Sequence, residues 1–95
     1  MGEIQLFNSR GEIKYYKIMP EGNVVPHRIG GPAVIYTKSK KEQYFVNGIR
    51  HREDGPAIVT PTIKSYYIKG VPYNKNVYYN DTEAILNRMD LLEEE

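Results

Sequence analysis

Apolar and polar positions alternate along most of this chain in short runs. Each run stops at glycine, proline or a cluster of small polar residues. This is the pattern of short strands joined by turns. Ile4-Gln5-Leu6-Phe7 predicts a first short strand. Asn8-Ser9-Arg10-Gly11 predicts a turn, because Asn and Ser offer side-chain oxygens to the backbone and Gly tolerates positive φ. Glu12 to Ile18 then reads as a second strand, which closes a hairpin. Met19 to Gly31 holds two prolines and three glycines, so it is a long turn with one extended piece around Val24-Val25. Pro32 to Thr37, Glu42 to Val46, Pro56 to Thr60 and Lys64 to Ile68 read as further strands, with Ser39-Lys40-Lys41 as a charged turn. Asn47-Gly48 is a strong two-residue hairpin signal, from which Ile49 to His51 pairs back. Lys69-Gly70 repeats that turn before Val71-Pro72-Tyr73.

The period changes only near the end. Asn80 to Leu92 predicts a helix, with Asn80 as its cap and Glu83 at the third helical position, as in a capping box. Ile85, Leu86, Met89 and Leu92 form one apolar stripe. A helix this short is marginal alone, so it is expected to dock on its own sheet.

Within the strands a phrase repeats. His27-Arg28-Ile29-Gly30-Gly31-Pro32-Ala33-Val34-Ile35 returns 24 residues later as His51-Arg52-Glu53-Asp54-Gly55-Pro56-Ala57-Ile58-Val59. Aromatic phrases flank both copies: Lys14-Tyr15-Tyr16-Lys17-Ile18, Gln43-Tyr44-Phe45-Val46-Asn47-Gly48 and Ser65-Tyr66-Tyr67-Ile68-Lys69-Gly70. Strand alternation puts Tyr16, Tyr44 and Tyr66 on one face and Tyr15, Phe45 and Tyr67 on the other. Stacked repeats would turn each set into a column.

This phrase resembles MORN-type repeats, and more closely a longer relative of about 22–24 residues per unit found in small proteins of phages, large DNA viruses and some bacteria. The second unit fits best. The first has a longer turn, and Ile29-Gly30 stands in place of its acidic pair. The last unit keeps only its aromatic half. The resemblance implies an interaction scaffold. The expected architecture is mainly β: an antiparallel meander of repeating β-hairpins with a C-terminal capping α-helix. Residues 1–12 form an N-terminal strand and turn, 13–79 the repeats, 80–92 the helix and 93–95 an acidic tail, all in one domain.

Composition narrows the chemistry. With 95 residues the core is thin. With no Cys, neither disulfides nor thiolate metal sites supplement it. The lack of Cys fits a reducing compartment, and a cytoplasmic location is expected. The first residues lack the basic-then-apolar pattern of a signal peptide. Residues 1–80 carry twelve Lys/Arg against six Asp/Glu, whereas residues 81–95 carry one Arg against six acids.

His27 and His51 are the only histidines. Equivalent positions in successive hairpins lie two strands apart, roughly 9–10 Å, so the two rings do not converge on one ion. Each is expected to bond the backbone of its own Gly-Pro turn. Arg28 and Arg52, beside Gly31 and Gly55, suggest an anion-binding row, since guanidinium forks suit phosphate or carboxylate. Lys14, Tyr15, Lys17, Lys64, Tyr67 and Lys69 suggest instead a surface for single-stranded nucleic acid. No nucleophile–base pair and no phosphate-binding glycine loop is present, so no enzyme and no cofactor are expected.

The leading expectation is therefore a small non-enzymatic protein-interaction module, with Tyr15, Phe45, Tyr67, Arg28 and Arg52 as its contact residues. By the resemblance it would be a phage accessory protein that binds and inhibits a host factor. The alternatives are binding of single-stranded nucleic acid or a nucleotide-like anion, and a structural homodimer.

Overall fold

Asn8 shapes the first hairpin. In the computed structural model, which describes residues 3–89, its Oδ1 accepts the backbone N–H groups of Arg10 at 2.9 Å and Glu12 at 3.2 Å. Gly11 follows at φ +83°. Strands β1 (Glu3–Phe7) and β2 (Glu12–Ile18) pair antiparallel around this turn, from Glu3 opposite Lys17 to Phe7 opposite Ile13.

The other edge of β2 serves two partners. Its first half, Glu12 to Lys14, pairs with β4 (Val34–Tyr36), and its second half, Tyr16 to Ile18, pairs with β3 (Val24–Pro26). The later units copy this division. β5 (Lys41–Gln43) lies between β4 and β8 (Ile58–Val59), while β6 (Phe45–Val46) turns back on β7 (Ile49–Arg50). β9 (Lys64–Ile68) pairs first with β8 and then with β10 (Val71–Tyr73). The main sheet runs β1-β2-β4-β5-β8-β9-β10, with β3 on β2. The architecture is thus the antiparallel hairpin meander that the alternation predicts.

The single strand expected over Glu42 to Val46 is two strands, because the chain changes partner at Tyr44. The N–H of Tyr44 goes to Ala57 O at 2.8 Å, and its own carbonyl accepts from His51 N at 3.2 Å. Both predicted two-residue turns have left-handed pairs: φ is +52° and +81° at Asn47-Gly48, and +51° and +86° at Lys69-Gly70. That is the type I′ geometry whose twist matches paired strands. At Gly48 the left-handed φ comes with a close approach, since a Cβ there would stand 2.9 Å from Val25 Cβ. Ala33 and Ala57, which end the two Gly-Pro-Ala phrases, are fully buried. Each bonds two flanking strands: Ala33 N donates to Gln43 O while its carbonyl accepts from Tyr15 N, and Ala57 N donates to Ser65 O while its carbonyl accepts from Tyr44 N, all at 2.8 Å.

The C-terminal helix differs from expectation. It is two short helices, α1 (Lys75–Asn80) and α2 (Thr82–Arg88). Asn74 caps the first, and Asp81, not Asn80, caps the second. Asp81 is extended at φ −78°, ψ 127°, which interrupts the helical path. Its Oδ2 accepts the N–H of Ala84 at 3.0 Å. Glu83 stays in the first turn, where a negative charge suits the helix dipole. The predicted stripe does not bury as a unit. Ala84 docks, Ile85 is half-buried, and Leu86 and Met89 are exposed. Leu92 and the acidic tail lie outside the described residues.

The largest packed cluster sits where these helices meet the last unit: Tyr66, Ile68, Tyr78 and Ala84, with Tyr73 against them. The Tyr66 and Tyr78 rings stand 4.9 Å apart, centroid to centroid, and tilted. The molecule is a slab, 40 × 35 × 17 Å. Among the described residues no helix is long and apolar enough to cross a membrane.

Candidate functional site

The repeated phrase has one structural reading in both copies. His27 and His51 are each 3% exposed. Nδ1 of His27 accepts the N–H of Asn47 at 2.9 Å, and Nδ1 of His51 accepts the N–H of Lys69 at 2.9 Å. Each histidine therefore holds the left-handed turn of the following unit, not its own Gly-Pro turn as the sequence suggested. Such a turn directs an N–H away from its own hairpin, and the buried ring satisfies it. Backbone bonds complete each seam. Arg28 N donates to Phe45 O at 3.1 Å and Gly48 N to Pro26 O at 2.8 Å. In the next seam Arg52 N donates to Tyr67 O at 3.4 Å and Gly70 N to Arg50 O at 2.8 Å.

The arginines fold back on their own units. The guanidinium carbon of Arg28 lies 4.0 Å from the centroid of Tyr15, and that of Arg52 lies 4.0 Å from Tyr44. Nη1 of each donates to the proline carbonyl of its phrase, Pro32 O at 3.3 Å and Pro56 O at 3.0 Å. The glycine before each proline makes this possible. A Cβ on Gly31 or on Gly55 would stand 3.0 Å from the Cζ of its arginine. These glycines thus serve the arginines, and the N–H of Gly55 is given to the Tyr78 hydroxyl at 3.2 Å. Of the expected row of glycine N–H groups beside the arginines, that of Gly55 is thus taken within the chain.

The hydrogen bonds also fix the register. Tyr15 N donates to Ala33 O as Tyr44 N does to Ala57 O. Tyr15 therefore falls in line with Tyr44 and Tyr66, whereas Tyr16 falls in line with Phe45 and Tyr67. The expected column of Tyr15, Phe45 and Tyr67 is shifted by one residue in the first unit. Tyr15, Arg28 and Arg52 share one set of stacks. Phe45 and Tyr67 belong to another, around Arg50, whose guanidinium lies 4.9 Å and 5.1 Å from the two ring centroids. Nη2 of Arg50 also donates to Gln43 Oε1 at 2.8 Å.

A cleft of about 410 Å³ separates the two Arg-x-x-Gly turns. Arg28, Ile29 and Gly30 form one wall, Arg52 and Asp54 the other, with Tyr44 among the lining and Arg88 and Met89 at the α2 side. Arg88 donates to the carbonyl of Glu53, which fixes α2 to the second turn. Arg52 Nε donates to Asp54 Oδ1 at 3.0 Å. Burial holds the Tyr44 hydroxyl above its ordinary pKa, against the opposing pull of Arg52.

Most lysines of the nucleic-acid expectation have partners within the chain. Lys14 lies 3.5 Å from Glu12, Lys17 donates to Asn47 Oδ1 at 3.0 Å, and Lys69 donates to Asn87 Oδ1 at 3.0 Å. Lys64 is exposed. Sequence reasoning missed Tyr44, Arg50, Ile29, Arg88 and Met89. The spacing of Tyr44 and Arg52 matched no repeat of fixed length, because the longer turn of unit one stretches Tyr15 to Arg28. Comparison with family models, curated proteins and solved structures returned no match.

Proposed function

We propose that this chain is a non-enzymatic protein-binding module, and that it meets its partner with the face bearing the two Arg–Tyr stacks. The observation that carries this reading is the cleft between those stacks, flanked by Ile29 and Met89, which are 55% and 57% exposed. Arg and aromatic side chains dominate the energetics of protein interfaces. Here the arginines are already ordered by a ring, a proline carbonyl and a glycine, so binding would freeze little additional motion. The exposed Ile29 and Met89 supply apolar area beside them. The repeat resemblance extends the reading to an accessory protein of phage or viral origin acting on a host factor.

The test is capture of the tagged protein from bacterial lysate, with and without nuclease, beside an Ile29→Asp variant. The expected result is one stoichiometric protein that survives nuclease and is retained about tenfold less by the variant, as when an interface anchor is lost. Recovery of nucleic acid, with retention falling steeply as salt rises, would move the assignment to the Lys/Tyr surface. An empty capture, with sedimentation that changes with concentration, would make the chain a homodimer instead.

A further inference from the structure

The two repeats provide an internal comparison. Arg28 and Arg52 have matching poses: Cζ 4.0 Å over a tyrosine, Nη1 on a proline carbonyl, and a glycine against the guanidinium. They differ at one edge. In the second unit Nε of Arg52 meets the carboxylate of Asp54, two residues along. The residue at that place in the first unit is Gly30, and a Cβ built on it would have nothing within 4 Å. Gly30 takes φ +86°, a conformation Asp54 does not share, so the first turn bends differently as well as lacking the acid. Among the described residues no carboxylate pairs with Arg28. Its Nε is also not among the buried nitrogens left without a bond, unlike Arg50 Nε and Arg88 Nε. A charge with an open edge therefore faces a cleft.

We infer that Arg28 Nε is a subsite for an acidic side chain of the protein partner, which sits where Asp54 sits against Arg52. This rests on the proposed role of the face in protein binding and gives that face a specificity. Arg Nε and an Nη offer parallel donors that match a carboxylate. An exposed ion pair contributes little alone. The subsite thus selects register, while the adjoining Ile29 and Met89 supply apolar contact. The recognised element is an Asp or Glu next to an aliphatic residue.

The probe is acetyl-Asp-Leu-amide, followed at the arginine Nε–H resonances by NMR of the full chain, with sodium chloride at equal ionic strength as reference. The expected result is a saturable downfield shift of Arg28 with the peptide and not with chloride. In Asp54→Ala the Arg52 resonance should first move upfield, then respond to the peptide as Arg28 does. This variant leaves the Arg28 stack intact, so the comparison does not depend on a substitution that disturbs folding. An Arg28 response equal in chloride and peptide overturns the inference. So does a response to inorganic phosphate alone, or an Arg52 that stays silent in Asp54→Ala. In a variant with Asp90, Glu93, Glu94 and Glu95 replaced by their amides, an upfield move of Arg28 before any peptide is added would make the chain's own acids the occupant and overturn the partner assignment. If the peptide binds but capture is indifferent to Ile29→Asp, the subsite stands and the interaction reading fails. If capture depends on Ile29 but Arg28 ignores the peptide, the reverse holds.

Discussion

A Cβ at Gly55 would stand 3.0 Å from Arg52 Cζ, so an added methyl requires the guanidinium to give by a few tenths of an ångström. The same holds for Gly31 and Arg28. A glycine that the sequence suggests as part of an anion-binding row instead makes room for the arginine beside it. Gly55→Ala is expected to destabilise the fold by about 1 kcal/mol, the low end for overpacking, because the methyl meets the end of an arginine side chain and no backbone. Urea unfolding of Gly55→Ala, Arg52→Ala and the double variant checks this. Once Arg52 is gone the methyl has room, so the double variant should lose clearly less than the sum of the singles. Strict additivity would mean that glycine and arginine act independently. The residue scale is also where sequence reading failed most. Tyr15-Tyr16, Tyr44-Phe45 and Tyr66-Tyr67 are all aromatic pairs, so a slip of one residue leaves the pattern looking sound. The hydrogen bonds at Ala33 and Ala57 settle the register, and the arginine–ring distances show which tyrosine lies beneath which arginine.

At the scale of elements, strands and turns were legible and helices less so. Asn8 to Gly11 and Asn47-Gly48 carry their geometry in residue type, because few residues accept a left-handed backbone, whereas Lys69 takes φ +51° and only Gly70 beside it signals the turn. The division of β2 between β3 and β4 was not legible, since pairing partners distant in sequence leave no local mark. The helices were misjudged at Asp81, whose side chain caps one helix while its backbone ends the preceding one. Tyr78 ties α1 to the second repeat. Its hydroxyl donates to Arg52 O and accepts from Gly55 N. Burial holds this hydroxyl above the ordinary value of 10.0. Unfolded chains thus release this proton at lower pH than folded ones, so the contribution of Tyr78 to stability should be flat below about pH 9 and fall above pH 10. Tyr78→Phe should be less stable at neutral pH by about 1–2 kcal/mol, from the lost hydroxyl bonds. It should also decline less steeply between pH 10 and 11, with Tyr44 and Tyr79, also shifted upward by burial, keeping part of the slope. Denaturant midpoints across that range decide it; equal slopes would show that Tyr78 ionises as freely in the fold as out of it.

The whole molecule is 17 Å thick, so its sheet has no deep interior. Packing instead concentrates at one end, where Tyr66, Ile68, Tyr78 and Ala84 meet. At the other end β1 leaves Leu6 and Phe7 exposed. Local opening is easiest where few apolar contacts must break. Amide hydrogen exchange should therefore be slowest around Tyr66, Ile68 and Ala57, and fastest along β1, with the first unit between. Uniform protection across the slab would indicate a single cooperative unit and no gradient.

The histidine of each unit reaches forward, and what it grips is always the same backbone N–H of a type I′ turn. The two seams are therefore interchangeable in kind. A chain with one more unit, spaced as Gln43 is from Ser65, would present the donors and acceptors that its neighbours already use. Its cost would be small, because each unit consults only the units beside it. The number of arginine–tyrosine grips then becomes a count that can be changed one at a time, with the helical end left as it is. Under the proposed protein-binding role, strength of attachment in such a molecule would be a matter of valency: each added grip would act at the effective concentration set by the rigid spacing of the last.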